Sequence, residues 1–166
     1  KITKNSNLND ELYKNVKLNS AQYNGEYSLD VYFPLARKIV LNAGSKGAYL
    51  SSQETFQNEL FRFGGLKTLR GFDEESLFAS EFYMLKAEFR YLLDRNSYLQ
   101  TFYNQAYYAS ETRDNSVFDT PLGFGAGITF ETKIGIFSLN YALGKQFNNP
   151  IQFRSAKVHF GIVNYF

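Results

Sequence analysis

An all-β, antiparallel fold is predicted for this 166-residue chain from three observations. Apolar and polar residues alternate with a period of two along most of the sequence, and no segment sustains a helical period. Short turns take turns with long intervals between the alternating stretches. Aromatic residues make up 18% of the chain, 17 Phe and 13 Tyr without a single Trp, and they crowd the apolar faces and strand ends. A soluble sheet packs its apolar face as a core rich in Val, Ile and Leu. A transmembrane barrel turns that face to lipid, gathers aromatics at the interfaces and keeps a polar interior. The composition favours the barrel.

The elements follow in order. Residues 1–20 are polar and read as a loop or partial strand, in which Leu12, Val16 and Leu18 suit either. Tyr23–Phe33 is a strand with Tyr23, Gly25, Tyr27, Leu29, Val31 and Phe33 on one face and Asn24, Glu26, Ser28 and Asp30 on the other. A turn at 34–38 leads to a second strand over Ile39–Leu50 and then to a long interval reaching residue 80. In the strand Phe82–Leu92, Tyr83, Leu85, Ala87, Phe89 and Tyr91 oppose Met84, Lys86, Glu88 and Arg90. A turn at 93–97 gives the strand Tyr98–Ala109, followed by a polar loop over 110–121. Leu122–Glu131 sets Leu122, Phe124, Ala126, Ile128 and Phe130 against Gly123, Gly125, Gly127 and Thr129. A tight turn at 132–135 leads into Ile136–Leu143, and after a loop at 144–152 the last strand spans about Phe153–Phe166. In that strand Val158, Phe160, Ile162 and Phe166 share one face, with Lys157, His159 and Gly161 opposite.

Composition excludes several functions. With no cysteine there is neither a disulfide framework nor a thiolate metal site. A net charge of +2 with the signs interspersed carries no footprint for nucleic acid. One histidine cannot build a multi-histidine metal centre, and no GxSxG-type nucleophile motif occurs, so neither a cofactor nor an enzymatic activity is expected. Mean hydropathy is −0.35 and no apolar run approaches a spanning helix, but alternating strands escape such averages. The N-terminus lacks the apolar region of a signal peptide, which puts any export signal upstream of Lys1.

One stretch breaks the alternation with a purpose. FRFGGLKTLRGF, residues 61–72, holds a Gly-Gly pair, one arginine, another glycine and flanking aromatics. Glycines let a backbone turn tightly or approach a surface closely, and an arginine bracketed by them can be aimed at one acceptor.

FxxGGxxxLRGF, then the glutamate-bearing strand SEFYMLKAEFRYLL, then an aromatic strand, GAGITFETKIGIFSLNYALGK and a C-terminal aromatic strand occur in order. Over residues 21–166 this resembles the C-terminal barrel half of the BamA/TamA superfamily of outer-membrane assembly and translocation factors. The resemblance implies seven or eight strands of a sixteen-stranded barrel integral to a bacterial outer membrane, with residues 52–80 as an inserted loop. A bacterial barrel of this kind is closed and even-stranded, so the chain is expected to be a fragment of a longer protein with upstream POTRA domains.

The resemblance also implies roles for residues. Gly64, Gly65, Leu69, Arg70, Gly71 and Phe72 form a loop folded back into the lumen, where Arg70 meets Glu88 on the wall. Asn104 stands where the family often has a second acid. In the terminal assembly signal His159, Gly161 and Phe166 fit the pattern, Asn164 takes the inner aromatic position, and Phe160 and Tyr165 add aromatic character. The implied partners are nascent outer-membrane proteins, outer-membrane lipid including lipopolysaccharide, and accessory assembly lipoproteins. The implied action is lateral opening at a weak seam bounded by the last strand. Two other functions are compatible with such a barrel: a passive or substrate-specific pore, and the membrane anchor of an upstream patatin-like lipase.

Overall fold

The computed structural model describes residues 22–52, 55–112 and 115–163; the expectations for residues 1–20 and for Asn164, Tyr165 and Phe166 lie outside them. Among the described residues the strands are β1 (Tyr23–Ala36), β2 (Ile39–Ser51), β3 (Phe61–Phe63), β4 (Leu77–Ala79), β5 (Glu81–Asp94), β6 (Ser97–Glu111), β7 (Ser116–Asp119), β8 (Leu122–Thr132), β9 (Gly135–Lys145) and β10 (Lys157–Val163). One antiparallel sheet runs β1-β2-β5-β6-β8-β9-β10, with β7 also paired to β6, while β3 and β4 form a separate hairpin. The fold is the all-β meander that alternation predicts.

Two-residue turns at 37–38, 95–96 and 133–134 join β1 to β2, β5 to β6 and β8 to β9 at one rim. They are tighter than the sequence suggests because the flanking strands continue into them. Thr132 holds one of these turns, its hydroxyl donating to the Gly135 carbonyl at 3.0 Å. The opposite rim carries the long connections. There β8 pairs with the Tyr98–Gln105 part of β6, and β7 takes the Tyr108–Glu111 part. Pro121 sits at the break between them, accepting from the Ala106 amide through its carbonyl where it has no N–H to give.

The sheet is amphipathic in the inverted sense. Along β5, Tyr83, Leu85, Phe89 and Tyr91 face outward and are exposed, while Phe82, Met84 and Glu88 are buried on the concave side. Leu85 is 63% exposed and Glu88 only 3%. The same split continues across the sheet: Leu99, Tyr103, Tyr107, Phe130, Leu139, Tyr141, Val158 and Phe160 are exposed, whereas Gln100, Asn104, Thr129, Asn140 and His159 are buried. An apolar surface of this extent marks contact with a membrane or another protein.

The concave face turns apolar only near the long-loop rim. There Ala48, Phe82, Met84, Ala106 and Tyr108 of the wall enclose Phe63, Leu69, Leu77 and Ala79 from the interval between β2 and β5. Phe63 stacks on Phe82 at 4.7 Å and meets Tyr108 edge-on at 5.6 Å. Burying a phenylalanine side chain contributes ~1.5–3 kcal/mol, so this small core seats the interval inside the curve of the sheet.

Two boundaries differ from expectation. The last strand begins at Lys157 rather than near Phe153, because Phe153–Ser155 is a 3-10 turn in which the Ala156 amide reaches the Phe153 carbonyl and the Ser155 hydroxyl donates to Gln152. The intervals read as loops also contain β3, β4 and β7, strands of three or four residues that are too short to establish an alternation.

The inverted arrangement can be tested on the outer face. Leu85→Arg is expected to cost ~2–4 kcal/mol near a bilayer midplane, measured by denaturant unfolding of the protein refolded into phospholipid vesicles. On a water-facing surface the same change would stay within about 0.5 kcal/mol.

Candidate functional site

The segment after β3 reverses at Gly64 and Gly65, whose φ angles are 114° and 93°. It is cross-linked to itself before it touches the wall. The Gly64 amide donates to the Thr68 hydroxyl at 2.8 Å, the Gly65 amide to the Leu69 carbonyl at 3.0 Å, and the Leu66 amide to Glu74 at 2.7 Å. Leu69 drops fully into the rim core and Phe72 packs against that core. With both flanks committed, Arg70 is directed at the wall. Gly71 then turns the chain at φ 97°, a left-handed conformation that a side chain would strain.

Two neighbouring strands receive the guanidinium. Arg70 Nη1 donates to Glu88 Oε2 of β5 at 2.7 Å, and Nε donates to Asn104 Oδ1 of β6 at 3.2 Å. Its Cζ lies 3.5 Å above the ring centroid of Phe102, which faces Glu88 in the β5–β6 register. Arg70, Glu88, Phe102 and Asn104 are all buried. Charge-assisted hydrogen bonds and a cation over an aromatic face both gain strength when water is excluded. Asn104 supplies an acceptor but no charge, so among the described residues Glu88 is the only carboxylate bonded to Arg70.

Glu88 is itself shared. Its other oxygen, Oε1, accepts from Arg90 Nε at 2.6 Å, and Arg90 lies 4.5 Å from the Tyr98 ring centroid. One carboxylate thus bridges two guanidiniums. The adjacent inward lysine, Lys86, pairs instead with Asp30 of β1 at 2.6 Å.

The floor beneath the loop is made of glycine. Gly123 of β8 and Gly144 of β9 are partners in register. A Cβ on Gly123 would overlap the Arg70 carbonyl oxygen, and one on Gly144 would stand 2.5 Å from that of Gly71. Gly125 and Gly127, on the same face as Gly123, serve other neighbours. Phe102 and the β9 backbone crowd Gly125, and the Asn140 amide fills the space at Gly127.

The terminal strand is also part of the assembly. His159 Nε2 accepts from the Gly71 amide at 3.1 Å, Gly161 lies beneath Leu66, and Phe160 points outward. The sequence gives no sign of this role for a lone histidine beyond its inward parity. Phe102 was also missed, although an aromatic between Gln100 and Asn104 on a polar face was a usable signal. Among the described residues no cluster of three His, Cys, Asp or Glu side chains could hold a metal ion. The site's chemistry is retention of a charged loop against a wall.

Residues 5–166 match the family model described as the Omp85 superfamily domain. No curated protein matches the chain significantly.

Removing one partner of a buried ion pair costs ~3–5 kcal/mol when the other is left unpaired, so Glu88→Ala, which strands Arg70, is expected to lower stability by that amount in denaturant titrations of the folded barrel. Arg70→Ala should lower it by less, because Glu88 keeps its bond to Arg90. Arg70→Lys should recover little, because a lysine cannot bond Glu88 and Asn104 together while lying flat on Phe102. Gly123→Ala should cost ~1–3 kcal/mol through overpacking. It should also speed tryptic cleavage after the exposed Lys67 by displacing the loop, which limited proteolysis would detect.

Proposed function

The chain belongs to the Omp85 superfamily of outer-membrane β-barrel assembly and translocation proteins, and on that premise we propose that it forms the loop-bearing part of a barrel that opens laterally to insert or translocate nascent outer-membrane proteins. The observation that carries this reading is the loop folded onto the concave wall, with Arg70 held by Glu88, Asn104 and Phe102. Such a loop occupies the lumen without sealing a ligand site or presenting a nucleophile. The work of the barrel is therefore assigned to its wall.

β10 has a strand partner on one side only among the described residues; in a closed barrel its other edge meets the first strand, and parting of the two exposes N–H and C=O groups. An exposed edge recruits another strand by β-augmentation. In lipid an unpaired edge leaves backbone polar groups unsatisfied, which drives it to pair. An incoming strand of a nascent barrel protein supplies the missing bonds, and no covalent step is needed. The outward aromatic and aliphatic face meets outer-membrane lipid, lipopolysaccharide included. Accessory lipoproteins would bind outside this sheet.

Residues 1–166 contain no cysteine that could compete with an engineered pair. One cysteine at Ile162 of β10 and one on the strand that closes the barrel against it should block assembly of client outer-membrane proteins in cells when oxidised, with recovery on reduction. Unchanged client assembly in the oxidised form would rule out lateral opening at β10.

A further inference from the structure

Lys157, His159, Gly161 and Val163 of β10 share the inward parity, and the first three meet the loop while Val163 is exposed. Lys157 Nζ lies 2.8 Å from the Asp73 carboxylate. His159 Nε2 accepts from the Gly71 amide at 3.1 Å, with Nδ1 facing Glu74 Oε1 at 3.8 Å. Gly161 lacks a Cβ where Leu66 Cδ2 packs, 2.5 Å from the place a Cβ would take. An ion pair, a neutral hydrogen bond and an apolar contact are thus aligned along one strand face.

We propose that the loop is a latch that holds β10 against the β5–β6 wall, with His159 as its positioning residue. Arg70 and Gly71 are consecutive, so the anchor on β5 and β6 and the tie to β10 are separated by one peptide unit, ~3.8 Å between Cα atoms. There is no slack between them. The tie matters because β10 is the strand that the proposed opening displaces, and elements that move are drawn from the low-stability end of a fold. Because the Gly71 bond is buried, losing its acceptor leaves an N–H without a partner. The bond requires an unprotonated Nε2, which puts the ring proton on Nδ1, toward Glu74.

This inference rests on the proposed lateral opening and adds its cost and its consequence. Displacing β10 to admit a client strand breaks all three ties and loosens the loop, which Arg70 still holds to the wall. By linkage, undocking the loop loosens β10 to the same degree. Seam and lumen loop are therefore coupled through His159, and an incoming strand is sensed inside the barrel.

Hydrogen–deuterium exchange of the full-length protein in lipid nanodiscs tests the latch without any client protein. His159→Leu keeps the volume and removes the acceptor; it should speed amide exchange in residues 157–163 and 66–76 by about 5- to 100-fold, with 84–104 unchanged. His159→Gln places an amide oxygen near the position of Nε2 and should restore slow exchange. Asp73→Lys should loosen β10 by up to about 5-fold, and adding Lys157→Asp should reverse that. Exchange in β10 that is indifferent to His159→Leu, or no recovery with either compensating change, overturns the latch. If exchange behaves as expected while the seam disulfide leaves client assembly intact, the latch stands and lateral opening falls.

Discussion

A guanidinium shut away from water needs a counter-charge, hydrogen-bond acceptors and a flat surface to lie on, and two adjacent strands supply Arg70 with a carboxylate, acceptors for its Nη1 and Nε groups and an aromatic face, leaving Nη2 without a partner among the described residues. Glu88 gives the charge, Asn104 a second acceptor and Phe102 the surface. None of these is useful unless the loop delivers the side chain at the right height above the sheet. That explains the surroundings: Leu69 sunk in the rim core, Gly71 turning the chain away, and the Gly123–Gly144 pair letting the backbone lie on the wall. Replace the arginine by an apolar residue and the glycine floor, the shared carboxylate and the inward aromatic lose their common reason.

The wall itself follows from inverted amphipathicity. In a water-soluble protein Leu85 would be inside and Glu88 outside; here the exposures are reversed. A polar interior can hold a charged loop by specific bonds, and an apolar exterior requires lipid or protein around it. The Arg90–Glu88–Arg70 chain also shows that the interior is not neutralised residue by residue. One acid serves two bases, so any change at Glu88 disturbs both.

Much of this was legible in the sequence, for identifiable reasons. Long strands carry five or more alternations each, enough to determine both boundaries and faces, and the inward parity of Glu88 is evident from its neighbours alone. Hairpin turns were legible because the alternation fails within two or three residues of them. β3, β4 and β7 were not, since three or four residues such as FRF or LFA have no measurable period. The start of β10 was misplaced because Phe153 looks like a strand aromatic, whereas its neighbours close a 3-10 turn. At the site, Arg70 stood out through the glycine-bracketed motif, while its meeting with Glu88 was what the family resemblance implies. The glycine pair Gly123–Gly144 did not, because register between β8 and β9 decides it, and register is a property of the assembled sheet. His159 escaped for a related reason: its partner is a backbone amide 88 residues away.

That separation has a kinetic side. Arg70 reaches Glu88 over 18 residues and Asn104 over 34, while the Gly71 tie to His159 spans 88. Loop closure grows costlier with length, and contacts between distant residues form late. The loop can therefore dock on the β5–β6 hairpin while the end of the chain is still free, and the finished inner surface then serves as a template for the final strand. In its own folding, the barrel would use the seat of its lumen loop to receive β10 before any other protein's strand is brought to that edge.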